Sequence, residues 1–308
     1  MLLKLFKTNK PIVLSILPIL GGFVVLPTFF LAPSFGLGSF FSGFLSLLII
    51  LSSSYIVNLC INQAELFNRT LFLSALTFVV FSCSVSVQDP LNPIILSNLF
   101  LVLALREILK IKRQVSCKSL LFNSSCLIII SGLLYPPYLL FFILPWCALS
   151  VIKTFYFKEW LIPIIALILF LFYGLASCLF FDLKPTQVAF FLASDFSTKE
   201  LANSVYSLFY VVLTFCFLYS LLTLFKLTSS ATNRFKKLSG VVVIFSFLSA
   251  LLLVFNFYTK HYLDGLLSMS ASLSLVLPFA LVHSSKQVLM ELLLTGAYIV
   301  LLIAVFLG

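Results

Sequence analysis

From Pro11 to Leu307 the chain presents one apolar run after another, and almost nothing polar stands between them. Several of these runs reach the roughly 20 residues that a helix needs to cross a bilayer. A backbone surrounded by hydrocarbon must satisfy its own N–H and C=O groups, which a helix does within the segment. Hydrophobic residues make up 62% of the chain and charged ones 9%. A soluble domain carries about 25% charged residues, so the surplus apolar surface must face lipid. The expected fold is therefore all-α, a polytopic transmembrane bundle occupying residues 1–308 as one domain. The longest polar segment, roughly Asp182–Ser204, is too short to fold alone, and no soluble domain is expected.

The stretch Arg106–Lys118 orients the bundle. It holds Arg106, Lys110, Lys112, Arg113 and Lys118, with spanning-length apolar sequence on both sides. Short loops rich in Lys and Arg stay on the cytoplasmic side. Lys110, Lys112, Arg113 and Lys118 are thus read as topology-determining residues rather than ligand contacts. About eleven spans then follow, with the N-terminus inside. They run about Pro11–Ala32, Ser39–Ile61, Leu71–Val87, Ile94 into the basic stretch, Ser119–Leu134 and Leu139–Ile152. Beyond these come about Leu161–Phe181, Val205–Phe225, Gly240–Tyr258, Leu266–Val282 and Val288–Leu307. This alternation puts 16 of the 19 Lys and Arg on inner segments and leaves 3 outside: Lys184, Lys199 and Lys260. Ser119–Leu134 and Leu139–Ile152 are short; were they a re-entrant pair, every other orientation would be preserved. Lys4, Lys7 and Lys10 precede a first run too long for a signal-peptide core, so that run is expected to be a retained span.

The net charge of +10 has the same topological explanation. No basic patch is interleaved with groove-reading polar residues, so nucleic-acid binding is not expected. Membrane lipids are the expected contacts, including anionic head groups for the flanking cations. The seven cysteines fall in apolar runs or the basic stretch, without CxxC spacing. They read as small hydrophobes, with neither zinc site nor disulfide framework indicated.

No nucleotide, phosphate-loop, HExxH or GxSxG motif is present, and no cofactor or metal is indicated. None of the nine acids forms a close carboxylate pair. Glu107, with Arg106 beside it and Lys110 near the same face, reads as a structural pair at the interface. Asp89 heads the turn Asp89-Pro90-Leu91-Asn92-Pro93, where Asp bonds its own backbone. Ser197-Thr198-Lys199-Glu200 has capping-box spacing, so a helix is expected to restart there. Lys260-His261-Tyr262-Leu263-Asp264 gathers a cation, an imidazole and a carboxylate. Five of the nine acids fall on outer segments where orientation needs few. If the chain has a site, it is expected to face outward and to involve Asp89, Asp182, His261 and Asp264.

Three stretches resemble an uncharacterised family of multi-spanning membrane proteins of Bacteroidota. Phe6-Lys7-Thr8-Asn9-Lys10-Pro11-Ile12 is similar to its "FFxKxKPI" opening. The segment from Ser97 to Arg106 is similar to its "SNLFLLLALRR" run, with Glu107 standing where that run has a second basic residue. Phe157-Lys158-Glu159-Trp160-Leu161-Ile162-Pro163 is similar to its "xxNWxIP" step. The resemblance implies an inner-membrane protein of a Gram-negative bacterium and carries no catalytic residues.

Three functional classes remain. Short loops, no acid pairs and no buried charge network favour a non-catalytic component or assembly partner of a cell-envelope complex, with other inner-membrane or envelope proteins as partners. A glycosyltransferase, polymerase or flippase for lipid-linked glycan wants an acidic motif in an early outer loop, and Pro33–Gly38 has no acid. A small-solute transporter wants polar groups at mid-membrane, where this chain offers mostly Ser and Asn, such as Asn58 and Asn123.

Overall fold

The computed structural model describes residues 16–19, 21–22, 37–64, 72–86, 92–112, 116–153, 156–180, 204–258, 262–283 and 296. Among them every regular element is helical: α1 Leu37–Gln63, α2 Leu73–Ser86, α3 Pro93–Leu109, α4 Lys118–Leu134, a 3-10 helix Pro136–Ile143, α5 Leu144–Ile152, α6 Phe157–Trp160, α7 Ile162–Phe180, α8 Ser204–Ser230, α9 Asn233–Tyr258 and α10 Tyr262–His283. Four stretches are long and apolar enough to cross a membrane: Phe41–Gln63, Phe157–Ala176, Asn233–Tyr258 and Asp264–His283. Most of the first and last expected spans lies outside the described residues.

The bundle is built around α10. Of the most apolar window of Asp264–His283, 94% is buried, against 22% for Phe157–Ala176. Its neighbours are α9, α2, α8, α3 and α1. Its sequence explains the position: Ser268, Ser270, Ser272 and Ser274 recur at every second residue, and all are fully buried. Steps of two residues put Ser268 and Ser272 on one face and Ser270 and Ser274 on roughly the opposite one, letting neighbours approach on two sides. Each hydroxyl donates to the carbonyl three residues earlier, at 2.7–2.9 Å, so no neighbour need supply an acceptor. At the start of α10, a Cβ on Gly265 would stand 3.2 Å from the Asn256 Cβ, so glycine permits the close approach to α9.

Helices α3 and α4 form a tight antiparallel hairpin. Ser97 Oγ donates to the Ser131 carbonyl at 2.8 Å, and Ser131 Oγ returns a bond to the Ser97 carbonyl at 3.0 Å. This register levels Pro93 with Tyr135 at one end and Leu109 with Ser119 at the other. Each helix has 17 residues, about 25 Å at about 1.5 Å per residue, so α4 runs as deep as α3. The return leg begins earlier than Leu139, with Pro136 and Pro137 opening the 3-10 helix. Neither proline has an N–H to donate, and 3-10 geometry rises faster per residue. With α5 the leg spans about 29 Å, close to a hydrocarbon core of about 30 Å.

Two expected boundaries move. Lys226–Ser239 is not a loop: α8 continues to Ser230 and α9 starts at Asn233. Thr232 starts α9, its carbonyl accepting from Lys236 N at 3.0 Å. Lys226, Arg234, Lys236 and Lys237 therefore sit on helices that project past the apolar span, as long basic side chains permit. Likewise α10 starts at Tyr262, so Asp264 and Gly265 belong to its first turn rather than to a preceding turn.

Candidate functional site

Polar side chains collect in two places, at opposite ends of the bundle. At the basic end, Arg106 Nε donates to Gln63 Oε1 at 3.4 Å, Lys110 pairs with Glu107, and Lys237 Nζ donates to the Ile152 carbonyl at 2.8 Å. The Glu107 pair is the one expected at the interface. Lys112 and Lys118 are exposed there, and Arg113 lies outside the described residues.

The centre of the basic end is Lys153 and Glu159. Lys153 Nζ stands 3.0 and 3.2 Å from the two carboxylate oxygens, with the side chains 6% and 10% exposed. Glu159 also accepts from Cys117 N at 3.4 Å, and Lys153 Nζ reaches Cys117 Sγ at 3.3 Å. One carboxylate thus joins the start of α4, the end of α5 and the short helix α6. Burial is the largest single influence and works against charge on Lys153, but Glu159 and Cys117 together outweigh it and raise the ammonium above its ordinary pKa. Burial pushes the Cys117 thiol up as well, and the Glu159 carboxylate adds to the shift, so a reactive thiolate is disfavoured. The expected spans Leu139–Ile152 and Leu161–Phe181 leave Lys153 and Glu159 in the connection between them, with no buried charge network expected. Glu159 and its partners Lys153 and Cys117 become neighbours only through the folding of α4 against α5 and α6.

At the opposite end the cluster is neutral except for Asp264. Asn92 caps α3 by accepting from Ile94 N at 3.0 Å, and its Nδ2 donates to Asp264 Oδ1 at 3.2 Å. Asp264 is 8% exposed. Tyr135 hydroxyl donates to Asn256 Oδ1 at 2.8 Å. About 9 Å deeper along α3, by the helical rise, Asn98 makes the central junction. It accepts from the Tyr138 hydroxyl at 2.7 Å and donates to the Leu267 carbonyl at 2.8 Å, with Ser270 Oγ at 3.4 Å. Ser270 in turn accepts from Ser82 Oγ at 3.3 Å. The two tyrosines meet edge to face with ring centroids 5.0 Å apart. Both are buried, and their hydroxyls have asparagine acceptors inside the bundle. The available signal was Asn98 and Asn256 themselves, amides inside apolar runs that needed partners on other helices.

Of the expected outward site, only Asp264 lies among the described residues; Asp89, Asp182 and His261 do not. The structure ties Asp264 to Asn92, three residues beyond Asp89 in sequence. Of the two amides named as mid-span polar groups, Asn58 turns inward and accepts from Ser74 Oγ at 3.0 Å. Asn123 lies on the exposed face of α4. Among the described residues no three His, Cys, Asp or Glu side chains are grouped to hold a metal ion.

Fold and composition together define an all-helical bundle with helices fit to cross a membrane. No family profile, curated protein or solved structure matches the chain.

Proposed function

We propose that this chain is a multi-pass protein of the inner, cytoplasmic membrane, and that it serves as a non-catalytic component or assembly partner of a cell-envelope complex. The observation that carries the reading is the contrast between its asparagines. Asn58 and Asn98 find partners within the bundle, whereas Asn123 sits on an exposed helix face five residues inside the start of α4. An amide facing hydrocarbon is unfavourable unless another group hydrogen-bonds it, and a neighbouring membrane helix supplies such a group. The test is copurification in mild detergent followed by mass spectrometry. A stoichiometric membrane partner is expected with the natural chain and reduced recovery with Asn123→Leu. Recovery as a partner-free particle in two gentle detergents would overturn the reading and favour a self-sufficient transporter or lipid-linked-glycan protein.

The same reading includes eleven spans, with the N-terminus in the cytoplasm. The hydrogen bonds support it by grouping the expected inner segments at one end: Gln63, Arg106, Cys117, Lys153, Glu159 and Lys237. The expected outer residues Asn92, Tyr135 and Asp264 gather at the other, with Asn256, near the end of the expected span Gly240–Tyr258, bonded to Tyr135. Alkaline phosphatase fused after Gly308 is expected to be active, and a fluorescent protein fused there to stay dark. A bright fluorescent fusion with inactive phosphatase would remove the odd span count.

A further inference from the structure

We infer that the basic end carries a binding surface for anionic phospholipid head groups, formed by Lys118 and Lys158 with the exposed rings of Tyr156 and Phe157. The surface follows from the buried pair beneath it. Glu159 bonds Cys117 N at 3.4 Å, which brings the two cations next to these residues in sequence, Lys118 and Lys158, to the same place. Both are exposed. The nearby carboxylate does not neutralise them, because Glu159 faces inward and is held by Lys153 at 3.0 Å. The patch therefore presents net positive charge. Tyr156 and Phe157 are each 64% exposed on the turn that opens α6.

The platform is held from several sides. Glu159 N and Trp160 N both donate to the Tyr156 carbonyl, at 3.0 and 3.2 Å. Trp146 Nε1 donates to the Trp160 carbonyl at 2.9 Å. Two aromatic rings beside two lysines match a bilayer interface: rings favour head-group depth, and an anionic surface attracts basic groups near it. An exposed apolar pair beside cations fits a phosphodiester with its acyl chains better than it fits a free anion. This inference stands apart from which complex the protein serves.

The protein is reconstituted into nanodiscs of phosphatidylcholine alone or of phosphatidylcholine with phosphatidylglycerol, and thermal unfolding and retained lipid are measured. Phosphatidylglycerol is expected to raise the Tm of the natural chain and to be retained in native mass spectra. Lys118→Gln/Lys158→Gln is expected to lose at least half of that rise and the retained lipid, with its Tm in phosphatidylcholine unchanged. Lys118→Arg/Lys158→Arg should restore both, which separates loss of the surface from failure to fold. Lys226→Gln/Arg234→Gln removes the same charge elsewhere at this end and should keep the rise. The inference is overturned if the Gln pair keeps the full rise, if the control pair loses as much, or if the Arg pair fails to restore it. It is equally overturned if an acidic protein, bound even in phosphatidylcholine discs, is what the Gln pair loses.

Discussion

Replacing Lys153 with Met is expected to destabilise the folded protein by about 3 kcal/mol, the low end for removing one partner of a buried ion pair. The loss has two parts. The attraction between Lys153 and Glu159 disappears, and the carboxylate is left with the Cys117 N–H while still 10% exposed. Replacing Glu159 with Gln in the same chain should recover most of the loss. The amide oxygen keeps the bond to Cys117 N, and no buried charge then lacks a counterion. Reversible unfolding in mixed micelles with rising dodecyl sulfate measures both variants. A single-variant effect below about 1 kcal/mol, typical of an exposed pair, would mean that Lys153 and Glu159 are solvated.

The second large effect is expected at Asn98. Asn98→Leu keeps the number and branching of the side-chain heavy atoms but removes the acceptor of the Tyr138 hydroxyl and the donor to the Leu267 carbonyl. Hydrogen bonds between membrane helices average about 0.6 kcal/mol and reach about 1.7. Two short bonds at a fully buried junction should therefore contribute about 2 kcal/mol, against about 1 kcal/mol for Tyr138→Phe. The two changes share one bond, so the double variant should be less destabilised than the sum, by about 1 kcal/mol. Strict additivity would show that Tyr138 and Asn98 do not interact in the folded protein.

The helices were legible because apolar runs of spanning length leave the backbone few choices. The expected spans Ser39–Ile61 and Ser119–Leu134 fall within two residues of α1 and α4 at each end. Misread boundaries had a common cause. Charge at Lys226–Lys237 looked like a loop, yet a helix continues past the hydrocarbon edge wherever its basic side chains reach water. The polar junctions were less legible. Asn98 and Tyr138 are 40 residues apart, and Asn98 and Leu267 are 169 apart. Only the packing of α3 on α10 and on the Pro136–Ile143 segment brings them together. Of the proposed outward residues, Asp264 was found in a helix start, tied to an asparagine that caps another helix.

Helix α10 also has a history implied by its place. A chain emerges from the ribosome in order, so the helices that enclose α10 on most sides are made first. They exist before the small serines of α10 that they will pack against. Until Tyr262–His283 arrives, the faces of α1, α2 and α3 that end up against it lack the helix they pack on in the finished bundle. Consolidation of the bundle therefore comes late in biogenesis, when a helix thin enough to slide between its elders closes the structure from within.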